Sequence, residues 1–241
     1  MIKTSAITYH GDGARMIGFL AIDDARGNDR PAVLVAHEAP GLDDLNRERC
    51  MRLAALGYAA FALDFHGEGE VLKNREEMMK RLASFAADPL RTRTRALAAL
   101  SALRAQPQVD DSRVAAIGYC FGGTIALELA RSGADLKAVV GFHAGLDTAR
   151  PLDAKNIRAK VLICNGAIDP IVPIEQRTAF EQEMENGGVD WQLYIYGGVG
   201  HAFTRPGAEA MGMPGFAYNK SADERSWQAM LNLFAETLGP V

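Results

Sequence analysis

The sequence of 241 residues predicts an α/β fold with a mostly parallel sheet that carries helices on both faces. Two short continuous apolar runs, 31–36 and 114–119, indicate strands that are buried on both faces. Such runs alternate with longer segments of helical spacing, which is the order of βαβ units. Two further β-rich runs at the N-terminus predict an antiparallel hairpin at one edge of a sheet of about eight strands.

The individual elements follow from local patterns taken in chain order. The hairpin joins runs 2–9 and 16–22 through residues 10–15, where Asp12 and Gly13 form a dipeptide typical of hairpin turns. The later predicted strands are 31–36, 58–63, 114–119, 137–142, 161–165 and 191–196. The predicted helices are 43–56, 75–87, 89–106, 122–132, 173–186 and 222–238. Gly57, directly after the first of these helices, is a typical helix stop.

Composition and charge exclude several classes of protein. Hydrophobic residues make up 48% of the chain and the net charge is only -4, which excludes a disordered chain. An isoelectric point near 5.8 indicates no basic surface for nucleic acid or anionic membranes. The N-terminus lacks an apolar signal segment, and no run approaches the length of a membrane span. Because no linker or repeat divides the chain, we expect one soluble, cytoplasmic domain over residues 1–241, as a monomer or small homo-oligomer.

The three cysteines, Cys50, Cys120 and Cys164, are too few and too scattered for a disulfide framework, and no two have metal-ligand spacing. Cys50 lies on an apolar helix and Cys164 in a strand, so both are predicted core residues. The glycines around Asp12 precede a strand rather than a helix, which excludes a dinucleotide-binding motif. We therefore expect neither a cofactor nor a metal.

Polar and titratable residues gather directly after the predicted strands. In an open α/β sheet, ligands bind outside the carboxyl ends of the strands. The residues at those positions are His37, Glu38, Asp64, Cys120, His143, Asp169 and His201. The functional site is therefore expected at this edge of the sheet.

The strongest single motif surrounds Cys120, between a predicted strand and a predicted helix. Gly118 and Gly122, two residues to either side, match the Gly-x-Ser-x-Gly nucleophile elbow with cysteine in place of serine. The positive end of the following helix favours a thiolate, and the N–H of Phe121 points to where an oxyanion would form. An inert, buried cysteine is the alternative, which the flanking glycines and the strand–helix context disfavour.

A nucleophile of this kind needs an acid and a histidine, which follow it along the chain in hydrolases. Only His143 and His201 follow Cys120, and His201 lies in a loop after the last predicted strand, so we predict it as the base. Asp169, in another loop, is the predicted acid, and a turn-forming role before Pro170 is compatible with this. Both loops are expected to be exposed, so a surface histidine is the alternative for His201. His143 is predicted to line the pocket and contact substrate, or else to be structural.

Glu38 lies in the loop that supplies the second oxyanion N–H in folds of this kind, which we assign to Ala39. A carboxylate is unusual there, because its charge opposes a developing anion. By the same repulsion, Glu38 is predicted to disfavour the thiolate of a nearby Cys120. The alternative for Glu38 is an exposed loop residue.

Four motifs, each after a predicted strand, carry a family likeness. They are HEAPG at 37–41, YCFGG at 119–123, GAIDP at 166–170 and HAFTR at 201–205. Together they resemble the dienelactone hydrolase (carboxymethylenebutenolidase-like) family over nearly the whole chain. The resemblance implies an α/β-hydrolase fold without a large cap domain and a triad of Cys120, Asp169 and His201. It also implies that Glu38 is the family's inner glutamate, which restrains the thiol and helps to ionise it when substrate arrives.

The resemblance further implies a small anionic enol-lactone substrate that two arginines bind. Arg205 matches one of these arginines. The other is expected in the helical region after run 58–63, where Arg75 and Arg81 are the candidates.

Two functional hypotheses follow. The first is a cysteine-dependent hydrolase of carboxylic esters or lactones that works through an acyl-thioenzyme. The second is a non-catalytic ligand-binding or thiol redox-sensing protein on a hydrolase scaffold, in which Cys120 is oxidised rather than acylated. The complete set of triad residues and the lack of a nearby resolving cysteine favour the hydrolase.

Overall fold

The computed structural model describes all 241 residues and contains one eight-stranded sheet. The strands are β1 (Ile2–Gly11), β2 (Ala14–Asp23), β3 (Arg30–Ala36), β4 (Ala59–Ala62), β5 (Val109–Tyr119), β6 (Ala138–Phe142), β7 (Lys160–Gly166) and β8 (Trp191–Tyr196). Their spatial order is β1-β2-β4-β3-β5-β6-β7-β8. β3 to β8 pair in parallel, whereas β2 pairs antiparallel with both β1 and β4. The predicted mostly parallel sheet with an antiparallel N-terminal hairpin is confirmed.

Helices cover both faces of the sheet, as predicted. They are α1 (Asp44–Leu56), α2 (Arg75–Ala86), α3 (Pro89–Arg104), α4 (Phe121–Arg131), α5 (Ile174–Gly187) and α6 (Lys220–Thr237). Successive residues of a strand point to opposite faces, so Leu34 of β3 packs in the core under α3 and α4. Its neighbours Val33 and Val35 pack in the core under α1 and α6. No separate cap domain lies over the sheet edge, and none of the helices has the length and apolar character that a membrane crossing requires.

The predicted hairpin turn between β1 and β2 is confirmed, and the strands run closer to it than predicted, which leaves a loop of two residues. Gly11 pairs with Ala14, and the residues between them, Asp12 and Gly13, both have positive φ, at 52° and 70°. Two successive left-handed residues make a type I′ turn, whose twist matches that of the flanking strands. The Asp-Gly dipeptide therefore forms the turn that joins the first two strands of the sheet.

Two features differ from the sequence prediction. β5 begins at Val109 rather than at 114, because Val109 pairs with Arg30 across an irregularity before the regular ladder with β3. Residues 109–113 lack the apolar pattern that marks a strand. Short 3₁₀ helices at Pro151–Asn156 and Ala208–Met211 were also not predicted, because so few residues carry no periodic signal.

Candidate active site

Cys120 forms the sharp turn between β5 and α4, with φ 56° and ψ -118°. Residues other than glycine rarely adopt positive φ, so the surrounding structure must hold this strained turn. A side chain at Gly118 would collide with the carbonyl group of Gly122, and one at Gly122 would collide with that of Ala36. Cys120 is partly exposed, whereas the other two cysteines are buried. The predicted elbow turn therefore requires glycine at 118 and 122, because neighbouring backbone leaves no room for a side chain at either position.

We expect Gly118→Ala to destabilise the protein by about 2 kcal/mol, because an added methyl group in a packed core forces the backbone to shift. Gly27→Ala is the matched control, since nothing lies within 4 Å of a Cβ placed there. Urea unfolding of both variants measures the difference. Equal midpoints for the two variants would contradict the packing account of the elbow.

Two backbone amides at the carboxyl ends of β3 and β5 have no backbone acceptor. The N–H of Phe121 is the first of α4 and has no acceptor within the helix. The N–H of Ala39 makes no backbone hydrogen bond. The backbone at Ala36 lies against Gly122, so the loop after β3 runs beside the start of α4. These are the two amides that the sequence assigns to the oxyanion.

Asp169 and His201 are joined by a hydrogen bond of 2.8 Å between Oδ2 and the ring Nδ1. The other carboxylate oxygen of Asp169 accepts from the N–H of Ile171 at 2.8 Å, so the turn before Pro170 also orients the acid. Asp169 is 4% exposed and His201 only 1%. Both side chains are therefore buried, and the surface-histidine alternative for His201 is wrong. The loop around Asp169 is exposed as expected, with Ile168 63% and Ile171 46% accessible, so only the Asp169 side chain is withdrawn from water.

The remaining ring nitrogen of His201, Nε2, has no hydrogen bond in the structure. Burial by itself lowers the pKa of His201, but the charge of Cys120 and the hydrogen bond to Asp169 outweigh it and raise the pKa to about 10. At neutral pH this raised pKa favours the protonated form of His201.

The segment 215–219 pairs with the His201 loop, a contact that the sequence did not predict. The N–H of His201 donates to the carbonyl of Gly215 at 2.7 Å, and the N–H of Ala217 donates back to the carbonyl of His201 at 3.2 Å. The ring of Phe216 lies 4.6 Å from the imidazole, measured between centroids. This β-like pairing covers His201, and no local pattern marks residues that pair with a loop.

Glu38 is buried, so the exposed-loop alternative is wrong. Its Oε1 lies 2.8 Å from the guanidinium of Arg49 and 3.4 Å from that of Arg205. Its Oε2 is buried without a hydrogen-bond partner, and no hydrogen bond joins Glu38 to Cys120. Burial alone would raise the pKa of Glu38, but the two guanidinium charges lower it to about 2. The carboxylate is therefore ionised at neutral pH, with its charge largely compensated.

Arg49 is the main site residue that sequence reasoning missed. Besides Glu38, its guanidinium donates to the hydroxyl of Thr204 at 2.9 Å and lies 3.4 Å from the ring centroid of Tyr119. It thereby ties together the loops that carry Ala39, Cys120 and His201. Its position on α1 could have indicated its role, because Arg49 shares a helix face with the buried Asn46, Cys50 and Leu53. An arginine within such a stripe indicates a buried partner.

His143 lies behind His201 rather than on the surface of the site. Its ring is fully buried, packs edge-on at 5.0 Å from the His201 ring, and shares a 2.8 Å hydrogen bond between Nε2 and the Thr204 hydroxyl. Burial, the largest influence, lowers its pKa well below the ordinary value, so the ring is neutral. This placement favours the structural interpretation over the substrate contact.

Known proteins with related sequences identify the family. The family model described as "Dienelactone hydrolase family" matches residues 16–238. The chain belongs to the dienelactone hydrolase family. Its structure is similar to the "Dienelactone Hydrolase-like Promiscuous Phospotriesterase P91 from Metagenomic Libraries", with TM-score 0.94 and 44% identity over 99% of both chains. It is also similar to a structure named m3DLH, with TM-score 0.96 and 48% identity over 98% of this chain and 99% of that one.

A curated relative agrees with this assignment. The Yersinia pestis protein named "Putative carboxymethylenebutenolidase" is 26% identical over 249 residues, which cover 98% of this chain and 89% of the relative. As a member of the dienelactone hydrolase family, the protein is a hydrolase of the ester and lactone class. The α/β-hydrolase fold that the motifs implied is confirmed.

The three arginines that the family resemblance makes candidates for substrate binding have different surroundings in this structure. Arg205 lies at the site but pairs with Asp43 at 2.7 Å, in addition to Glu38. Arg81 pairs with Glu70 at 2.7 Å and with Glu77 at 2.8 Å, and makes no contact with the candidate triad. Arg75, at the start of α2, is exposed and forms no ion pair. A substrate contact by any of the three stays a prediction.

Iodoacetamide should alkylate Cys120 much faster than Cys50 or Cys164. Burial raises the pKa of both core thiols, that of Cys164 to about 12, so neither supplies thiolate at neutral pH. Peptide mass spectrometry after partial labelling measures the three rates together with the remaining activity. Equal labelling of all three cysteines would exclude an activated thiol at Cys120.

Proposed function

We propose that this protein cleaves carboxylic esters or enol lactones through a covalent acyl-thioenzyme on Cys120. The observation that carries the proposal is the Asp169–His201 hydrogen bond of 2.8 Å, with Nε2 of His201 free of other partners and the ring close enough to Cys120, in the elbow turn, to feel its charge. This arrangement supports the roles of Cys120 as nucleophile, His201 as base and Asp169 as orienting acid, which acyl transfer requires.

In the acylation step, the thiolate of Cys120 attacks the carbonyl carbon, and the carbonyl oxygen takes the negative charge. The N–H groups of Phe121 and Ala39 stabilise that oxyanion. When the tetrahedral intermediate collapses, the C–O bond to the leaving group breaks. The leaving oxygen takes a proton from Nε2 of His201, and the thioester remains.

In the deacylation step, Nε2 of His201 takes a proton from water, and the resulting hydroxide attacks the thioester carbonyl. Collapse of the second tetrahedral intermediate releases the carboxylic acid and restores the thiolate. Asp169 holds the imidazole so that Nδ1 donates to the carboxylate and Nε2 faces the reaction. Enol esters suit a thiolate nucleophile, because their leaving group needs little protonation.

A substrate panel tests the proposal. It contains dienelactone, simple lactones, short 4-nitrophenyl esters and, because of the name of the P91 relative, a neutral phosphotriester. Cys120→Ala should abolish hydrolysis, while the control Cys164→Ala keeps it. Intact-mass spectrometry of the quenched reaction should detect one acyl group per chain on Cys120. Full activity in Cys120→Ala would refute the nucleophile, and oxidation of Cys120 without any turnover would favour the redox-sensing alternative.

Glu38→Gln tests the restraining role that the family resemblance gives to this residue. The substitution keeps the shape of the side chain and removes its negative charge. That charge disfavours a nearby thiolate by repulsion. We expect alkylation and peroxide oxidation of Cys120 to become faster, while turnover of the true substrate falls. The control is Glu48→Gln on the exposed face of α1. Superimposable pH profiles of alkylation for wild type and Glu38→Gln would exclude Glu38 as the restraint.

A further inference from the structure

His37 directly follows β3 and is fully buried, and both of its ring nitrogens are hydrogen-bonded to backbone groups. The N–H of Phe65 points to Nε2 at 3.1 Å. Nδ1 lies 2.7 Å from the carbonyl oxygen of Glu38. Neither partner is a side chain, so the ring links the loop after β3 to the segment after β4.

These two partners determine the tautomer of His37. A backbone N–H can only donate, so Nε2 must be the unprotonated, accepting nitrogen. A carbonyl can only accept, so Nδ1 must carry the proton and donate it to Glu38. The neutral Nδ1–H form is the only one that satisfies both contacts. Burial lowers the pKa of His37, which keeps the ring in this neutral form.

The Glu38 carbonyl and the Ala39 N–H are the two ends of one peptide group. A hydrogen bond donated to the carbonyl fixes the peptide plane and polarises the group, which strengthens donation by its N–H. The same carbonyl also accepts from the N–H of Gly41 at 3.2 Å. On the other side of Ala39, His66 Nε2 lies 2.9 Å from the Ala39 carbonyl. The Glu38–Ala39 peptide group is thus held at the Glu38 carbonyl, while the Ala39 N–H has no backbone acceptor.

We propose that His37 is a positioning residue of the oxyanion site: its Nδ1–H orients and polarises the Glu38–Ala39 peptide so that the Ala39 N–H binds the developing oxyanion. The inference rests on the proposed function, because it needs the oxyanion of acyl transfer. His37 itself touches neither substrate nor nucleophile. Its effect is confined to the stabilisation of negative charge on the carbonyl oxygen.

The experiment compares His37→Leu, which removes donor and acceptor, with His37→Gln, which supplies one of each. Loss of an oxyanion donor typically lowers kcat by about 10²-fold to 10³-fold, and misorientation of one donor costs less. We expect kcat of His37→Leu to fall by about tenfold with an unchanged KM. His37→Gln should stay within about threefold of wild type.

Two readouts separate this role from a general structural one. Alkylation by iodoacetamide is a substitution at carbon without an oxyanion, so its rate should be the same in wild type and His37→Leu. An aldehyde inhibitor forms a hemithioacetal whose oxygen occupies the oxyanion site, so its affinity should fall by the same factor as kcat. Equal losses in alkylation and turnover, or no loss in turnover, would overturn the proposal.

Two further outcomes keep the inference testable if His37→Leu does not fold. A folded His37→Gln with kcat reduced more than tenfold would contradict the donor–acceptor assignment. Nitrogen-15 NMR of the wild-type ring at neutral pH should show a protonated Nδ1 and a bare Nε2, and the opposite tautomer would overturn the proposal. Failure of the proposed function is distinguishable, because it would appear as full activity in Cys120→Ala, independently of His37.

Discussion

His201→Ala is expected to lower kcat of ester hydrolysis by about 10⁴-fold, the effect of removing the base from a nucleophile–base–acid set. Without the imidazole, the leaving oxygen receives no proton from Nε2 and water is not activated for deacylation. Asp169→Asn should have a comparable effect, because an amide favours the wrong tautomer of His201. Steady-state kinetics on the best ester of the panel measures both losses.

The controls for this prediction separate chemistry from folding. His10→Ala removes an exposed histidine on β1 and should leave kcat unchanged. Because Asp169 and His201 are buried, urea unfolding of each variant must show a folded protein before its kinetics are interpreted. Adding His201→Ala to Cys120→Ala should cause little further loss, since the residues act as a unit. Near-native turnover in His201→Ala would refute the assignment and make His143 the next candidate for the base.

Arg49→Met should reduce the free energy of unfolding by about 3 kcal/mol, a value typical of breaking a buried ion pair by removal of one partner. The Glu38 carboxylate would stay buried with only Arg205 at 3.4 Å as a charged neighbour. The hydroxyl of Thr204 and the ring face of Tyr119 would also lose their contact with the guanidinium. Urea unfolding at neutral pH measures the loss.

The matched control for Arg49→Met lies on the same helix. Arg47 pairs with Asp44 at 2.9 Å, but this pair is exposed, so Arg47→Met should cost less than about 1 kcal/mol. The double variant Arg49→Met with Glu38→Leu removes both charges and should recover part of the stability. Equal losses for the two single variants would contradict a buried ion pair at the site.

The stability difference between wild type and Arg49→Met should also depend on pH. The pKa of Glu38 is lowered to about 2 in the folded protein, against about 4.3 for an ordinary glutamate. The stabilisation is therefore complete above the ordinary value and is lost as the pH falls toward 2. Unfolding experiments on both proteins across this window should show the difference shrinking with acid.

Much of the fold could be predicted from the sequence, because its signals are local. Apolar runs such as 31–36 predicted the buried strands. The Asp12–Gly13 dipeptide predicted the hairpin turn, in which both residues have positive φ. The family and the hydrolase class followed from motifs at strand ends. Because parallel strands bring their carboxyl ends to one edge, the same reasoning predicted that Asp169 and His201 would meet.

The sequence by itself thus determined the fold class, the family and which residue types stand at the edge of the sheet. Only the tertiary structure decided what surrounds them: the burial of His201, the segment 215–219 that covers it, and the pairing of Glu38 with Arg49. The contact between Arg49 and Thr204 joins residues 155 positions apart, so it exists only once α1 and the loop after β8 pack at the same edge. Local periodicity and turn chemistry carry no information about such partners, because burial and charge pairing depend on the assembled sheet.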